Sequence, residues 1–237
     1  MPDLSSLLKS LEGLPKAQQA ELDALIAADI AANPWRPLIN VEKPDEPTPQ
    51  RIAYDSLADI LLFGGSAGGA KTDLLIGLAL TAHKRSIIFR REHKQLAGII
   101  ERTHTIRRTR DGYNGQDNRF DLGKGRMLWL GGMQHPGDEQ TFQGQPRDLM
   151  AWDELTQFME AQFRYVITWN RTTDPRQRCR VVAATNPPSS AEGEWVIRFW
   201  APWLDDTHPN PALPGELRWF NCPGSCAGSS RTKRERI

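Results

Sequence analysis

The segment Leu61-Leu62-Phe63-Gly64-Gly65-Ser66-Ala67-Gly68-Gly69-Ala70-Lys71-Thr72 constrains the fold more than any other stretch of the chain. An apolar run, Asp59 to Phe63, ends in a glycine cluster, and beyond it Leu74, Leu75, Leu78 and Ala79 keep helical spacing out to His83. Ser86-Ile87-Ile88-Phe89 is then a short continuous apolar run, the signature of a strand buried on both faces. Strand, glycine loop, helix, strand is the order of a parallel sheet covered by helices, so an α/β fold is predicted.

The loop itself carries chemistry. Gly65, Ser66, Ala67, Gly68, Gly69, Ala70, Lys71 and Thr72 match the phosphate-binding pattern G-x-x-x-x-G-K-[ST] at every position but Ala70. Small residues let the backbone curl until successive N–H groups point at phosphate oxygens. The lysine then reaches the β/γ-phosphates, and the Thr72 hydroxyl ligates Mg²⁺ at the start of the helix. ATP and Mg²⁺ are the predicted ligands. Ala70 fits the pattern if its φ is negative. The other reading is a glycine-rich turn with an incidental lysine; no G-x-G-x-x-G register fits a dinucleotide turn.

Two further apolar runs end in polar residues. Asp148-Leu149-Met150-Ala151-Trp152 leads into Asp153 and Glu154. A strand-end Asp153 would hold Mg²⁺, and the adjacent Glu154, diverging from it, would polarise the attacking water. The same pair also fits a solvent-exposed cap on a helix beginning at Leu155. Arg180 to Thr185 runs into Asn186-Pro187-Pro188, where Thr185 and Asn186 would sense the γ-phosphate; an ordinary Asn-Pro turn is the alternative.

Around this core the chain is predicted to divide at 1–32, 33–50, 51–220 and 221–237. Leu4, Leu7, Leu8 and Leu11, then Leu22, Leu25, Ile26 and Ile30, mark two short amphipathic helices that need a surface to dock on. Five prolines make 33–50 a linker or strap. In the main domain, Gln95 to Arg110 reads as a helix, and Phe120 to Leu130 as a hairpin about Gly123-Lys124-Gly125. The tail 221–237 is Gly/Ser-rich and then basic, and is expected to be without order. A net charge of +1 over 237 residues excludes a polycationic tail protein, so nucleic acid would have to meet local patches. Three cysteines do not make a disulfide framework. No run approaches the roughly 18 apolar residues of a membrane helix, and Met1 to Ser10 lack a signal-peptide layout. The eight tryptophans show no period and read as packing residues.

Together these residues resemble the ATPase domain of the large subunit of tailed-phage terminases, the motor that pumps DNA into procapsids. The resemblance runs from about Trp35 to Phe220 and rests on Trp35-Arg36-Pro37-Leu38, the phosphate loop, Phe89-Arg90-Arg91, Phe142-Gln143-Gly144, Trp152-Asp153-Glu154, Gln157-Phe158 and Ala184-Thr185-Asn186-Pro187-Pro188. It implies a P-loop NTPase of the additional-strand type, a mostly parallel central sheet flanked by helices with a short N-terminal helical appendage. Gln50 would read adenine, or be a linker glutamine. Arg90 and Arg91 would reach a neighbouring subunit's γ-phosphate, or form a solvated basic loop. Thr185 and Asn186 would couple hydrolysis to movement. Arg102, Arg107, Arg108 and Arg110 would touch DNA phosphates, or be a solvated helix face. The implied partners are double-stranded DNA, portal protein and procapsid, the small terminase subunit, and further copies in a ring, in the host cytoplasm.

One departure stands out. Terminase large subunits continue into a nuclease domain, and the matching text stops near Phe220. No nuclease activity is therefore expected of this chain, which reads as an isolated ATPase domain, a truncated or frameshifted product, or half of a split gene. A helicase-like P-loop ATPase and a non-hydrolysing nucleotide- or partner-binding remnant are the competing functions.

Overall fold

The computed structural model describes residues 13–65, 68–220 and 233–236. The chain divides into two units, 1–36 and 37–237. In the first, Lys16–Ala32 forms helix α1; Asn33 closes it, its backbone N–H and side-chain amide both donating to Asp29. Leu25 and Ile26, expected on a docking face, are exposed. The helix predicted around Leu4 to Leu11 lies outside the described residues.

The second unit opens with a strap and helix α2 (Pro49–Asp55). Thr48 caps α2: its Oγ1 accepts from Arg51 N at 3.2 Å and donates to the Leu38 carbonyl at 2.7 Å, while Pro49 fills the first helical position, where no N–H is needed. Gln50 therefore sits in the first turn of a helix and not in the linker. Strand β1 (Ile60–Gly64), helix α3 (Lys71–Thr81), strand β2 (Arg85–Arg90) and helix α4 (Leu96–Arg107) follow. Then come strands β3 (Tyr113–Asn114), β4 (Arg119–Gly123), β5 (Arg126–Gly132) and β6 (Leu149–Asp153). Helix α5 (Glu160–Ile167), strand β7 (Arg180–Thr185), helices α6 (Trp195–Phe199) and α7 (Ala201–Leu204), and strands β8 (Leu217–Phe220) and β9 (Lys233–Arg236) complete it.

Among the described residues one sheet runs β3-β4-β5-β2-β6-β7-β1-β9-β8. From β5 to β9 neighbouring strands are parallel, and the outer pairs are antiparallel. This is an α/β fold with a mostly parallel sheet. Strand β7 stands between β1, which feeds the glycine loop, and β6, which ends in Asp153: this is the additional-strand arrangement. The predicted hairpin is β4–β5, and Lys124 and Gly125, both at positive φ, form its two-residue turn.

Every residue of β6 and β7 is buried, as unbroken apolar strands require. Ile60, Leu62, Ile87, Phe89, Met150, Trp152, Val181 and Ala183 point to one face, where Phe163, Trp195, Phe199 and Trp200 cover them. Trp152 lies at the centre of that cluster, 4.6 Å from Phe89, 4.9 Å from Phe158 and 5.2 Å from Phe163 by ring centroid. Such aromatic pairs add about 0.5–1.5 kcal/mol each beyond their area. Helix α3, buried from Leu74 through Leu80, packs on the other face.

The tail expected to lack order supplies β9, which pairs in parallel with β1 and antiparallel with β8. Backbone pairing on the open edge of β1 needs no apolar side chains, so composition gave no sign of it. Residues 221–232 and 237 lie outside the described residues. Among those described, no helix is long and apolar enough to cross a membrane.

Candidate functional site

The strands' C-terminal ends build the site. In register, Phe63 lies beside Ala184 and Ala184 beside Asp153, while Trp152 pairs with Phe89, so Arg90 follows at the level of Asp153. The chain leaves β1 through Gly65 (φ 144°) and Gly68 (φ 89°), conformations that L side chains rarely adopt. Ser66 and Ala67 lie outside the described residues. The negative φ on which the fit of Ala70 to the pattern depends is not found: Ala70 has φ 49° and ψ 36° as the residue before α3. Its backbone is thus left-handed, a conformation that crowds the Cβ of an L-residue against the following carbonyl oxygen. Lys71 Nζ donates to the Gly65 carbonyl at 3.0 Å and closes the loop on itself.

Thr72 Oγ1 donates to Asp153 Oδ2 at 2.9 Å. Asp153 is 2% exposed, and the same oxygen accepts Arg90 Nε at 2.9 Å and lies 2.8 Å from Arg90 Nη2. A buried carboxylate without a cation would be costly, and Arg90 supplies one from the next strand. Arg90, expected to serve a neighbouring subunit, is turned onto its own chain's Asp153. Arg91 diverges from it and donates to Gln162 Oε1 at 2.9 Å.

Glu154 has φ 58°, which swings it off the line of β6. A non-glycine residue in this region is uncommon and marks positions where the surroundings fix the backbone. Its carboxylate oxygens lie 3.3 and 3.4 Å from Asn186 Nδ2. Thr185 sets that contact: its Oγ1 donates to the Asn186 carbonyl at 2.9 Å and accepts from Thr156 N at 3.2 Å. Glu154 and Asn186 form the wall between two clefts. One, of about 560 Å³, is lined by Gly68 to Asp73, Arg90, Asp153 and Arg102. The other, of about 480 Å³, is lined by Arg91, Thr156, Gln157 and Glu192.

The first cleft brings together Lys71, Thr72, Asp153, Glu154, Asn186 and Arg90. Thr72 Oγ1 and Asp153 Oδ2 are hard oxygen donors, the set that suits Mg²⁺ shared with substrate phosphates. Gln50 stands behind the loop: its Nε2 donates to the Ala70 carbonyl at 2.9 Å. Of the four helix arginines, Arg102 lines the cleft, its Nε and Nη2 held by Asp73 at 2.7 and 2.5 Å. Arg107 donates to the Asp111 and Asp121 carbonyls, Arg110 pairs with Glu101, and Arg108 (φ 56°) ends α4. The Asp73–Arg102 pair was not anticipated, and its 29-residue separation left no local signal.

At the opposite end of the sheet a second polar cluster fixes the strands. Asp148 Oδ2 accepts Lys84 N and Arg85 N at 3.1 and 3.0 Å, and its Oδ1 lies 3.3 Å from the Nδ1 of buried His83. Burial holds the His83 imidazole below its ordinary pKa, outweighing the opposing pull of Asp148. Arg180 donates to the Ala53 and Tyr54 carbonyls, and Arg178 to those of Ser56 and Ala58, gripping the C-terminal end of α2. Burial lowers the Arg180 guanidinium to about 10.

No family model and no curated protein matches the chain. Among solved structures it is similar to the HK97 bacteriophage large terminase, with 13% identity over 72% of this chain and 39% of that one at a TM-score of 0.49. It is also similar to the large terminase of a thermophilic bacteriophage, with 15% identity over 57% of this chain and 35% of that one at a TM-score of 0.42. Both are likenesses of fold, and the chain spans less than two fifths of the length of either terminase.

Proposed function

We propose that this chain is the ATP-hydrolysing motor domain of a phage large terminase, moving double-stranded DNA into a procapsid. The observation that carries the reading is the Thr72–Asp153 hydrogen bond, which joins the end of the glycine loop to the acidic strand end across the intervening strand. A turn with an incidental lysine has no reason to aim its next hydroxyl at a buried carboxylate 81 residues away.

In this reading the backbone N–H groups of the loop and Lys71 bind the phosphates, and Thr72 with Asp153 holds Mg²⁺. When bound, the ion neutralises charge developing on the β- and γ-phosphate oxygens. Glu154 orients the attacking water and takes its proton on a carboxylate oxygen, and Asn186 keeps that carboxylate in place. Arg90 pairs with Asp153 within its own chain, and with Mg²⁺ held by Asp153 its guanidinium would be free to stabilise charge on the phosphates from the same subunit. Arg91, in the second cleft, remains the candidate for a neighbouring subunit in a ring. The resemblance adds portal protein and the small terminase subunit as partners, in the host cytoplasm.

The test is ATP turnover at high protein concentration for the parent chain, Lys71→Ala and Glu154→Gln. Both variants should lose hydrolysis, with Glu154→Gln still binding ATP. Stimulation by portal-bearing procapsids over single-stranded DNA should follow if the motor packages DNA. Variants that hydrolyse ATP like the parent would refute the mechanism.

A further inference from the structure

Gln50 is 3% exposed, and both ends of its amide are engaged within the chain. Its Oε1 accepts Leu38 N of the strap at 2.7 Å, and its Nε2 donates to the Ala70 carbonyl at 2.9 Å. That carbonyl also accepts Leu74 N at 3.1 Å, the first bond of α3. The helix that carries Gln50 is itself held at both ends, by Thr48 at the start and by Arg178 and Arg180 on its last carbonyls. Ala70 meanwhile occupies a left-handed conformation that an alanine adopts only when its surroundings hold it there.

We propose that Gln50 is a positioning residue for the phosphate loop: it holds Ala70 in its left-handed turn and ties the loop to the strap through Leu38. This rests on the nucleotide-site reading above and assigns Gln50 a role other than base recognition. The cost of a left-handed alanine and the value of one buried hydrogen bond are of similar size. Without Gln50, Ala70 relaxes toward negative φ. The peptide joining it to Lys71 then rotates, and the Lys71 N–H leaves the phosphate cradle. Loss of Gln50 therefore weakens every triphosphate alike, whatever its base. A glycine at position 70 carries no such strain, so the dependence on Gln50 should vanish with it.

The test is calorimetric binding of inorganic tripolyphosphate, ATP and GTP, in Mg²⁺, to the full chain. The proteins are the parent, Gln50→Met, Ala70→Gly and the double variant, with thermal unfolding of each ligand-free protein as a fold control. Gln50→Met fills the same space without hydrogen bonds; Gln50→Asn, with a shorter reach, serves should Gln50→Met fail to fold. Gln50→Met should weaken all three ligands by about tenfold and lower the ligand-free melting temperature. In the Ala70→Gly background it should change tripolyphosphate binding less than about twofold. A loss confined to ATP, with tripolyphosphate unchanged, would make Gln50 a base reader and overturn the proposal. An equal loss in both backgrounds would overturn it too. A parent chain that binds neither tripolyphosphate nor ATP would sink the nucleotide site itself and this role with it.

Discussion

Thr72 and Asp153, 81 positions apart in the chain, are joined by a 2.9 Å hydrogen bond from hydroxyl to carboxylate. The loop-to-helix junction is thereby tied to the end of β6, and in the proposed motor these two oxygens would hold the metal ion. Thr72→Val keeps the shape and removes the hydroxyl. Nucleotide binding in Mg²⁺ should weaken roughly 10- to 100-fold, the worth of one hydrogen bond to a charged group. Binding in a chelator should change little. Equal losses in the two conditions would show that Thr72 serves the loop and not the ion.

Arg90 is 21% exposed and neutralises an Asp153 that is almost wholly enclosed. Arg90→Ala leaves that carboxylate without a cation, and denaturant unfolding should show a loss of about 2–3 kcal/mol. Mg²⁺ with nucleotide should restore part of it, because a divalent cation held at Asp153 would replace the lost positive charge. If the loss is identical with and without the ion, the guanidinium and the metal do not share Asp153.

Asn186 reaches Glu154 at 3.3 and 3.4 Å, contacts long enough to tighten when a water is held between Glu154 and a phosphate. Asn186→Ala should lower kcat roughly tenfold with KM nearly unchanged. Asn186→Asp sets a like charge against Glu154 and should lower kcat further. Steady-state kinetics decides this: a rise in KM at constant kcat would mark Asn186 as a ground-state binding residue.

His83, enclosed beside Asp148 with Arg178 and Arg180 nearby, has a folded pKa below its unfolded value. The unfolded chain therefore binds more protons as pH falls through about 6.5, and stability is lost on acidification. It is fully present above that value. Urea midpoints should fall between neutral pH and pH about 5, more steeply for the parent than for His83→Gln. Parallel profiles for the two proteins would mean that His83 does not titrate on unfolding.

The sequence made the βαβ core legible because its signals are local. Phe63 to Thr72 contains both the end of a strand and the start of a helix, and the apolar runs before Asp153 and Asn186 mark strand ends directly. Contacts between distant segments left no such trace. For Arg90 the sequence leaves open a reach to a neighbouring subunit's γ-phosphate or a solvated basic loop, and only the β2–β6 register puts it on Asp153. Gln50 read as part of a proline-rich strap because three of the five prolines of 33–50 lie just before it, yet one of them, Pro49, starts a helix. The φ of Ala70 is imposed by the loop around it, and no alanine announces its backbone angle. In sequence Arg102 is one of four arginines of a predicted helix, and its Asp73 partner belongs to another element.

Strand β6 is apolar on both sides, so burial alone would tolerate its sliding by one place. Two carboxylates prevent that slip. Asp148 is pinned by two main-chain amides where β2 begins, and Asp153 is seized by Thr72 and Arg90 where β6 ends. At about 3.3 Å per residue these clamps lie some 16 Å apart. An alteration at Asp148, remote from any phosphate, would thus detune the aim of Asp153, as a loosened peg at one end of a string changes the note at the other.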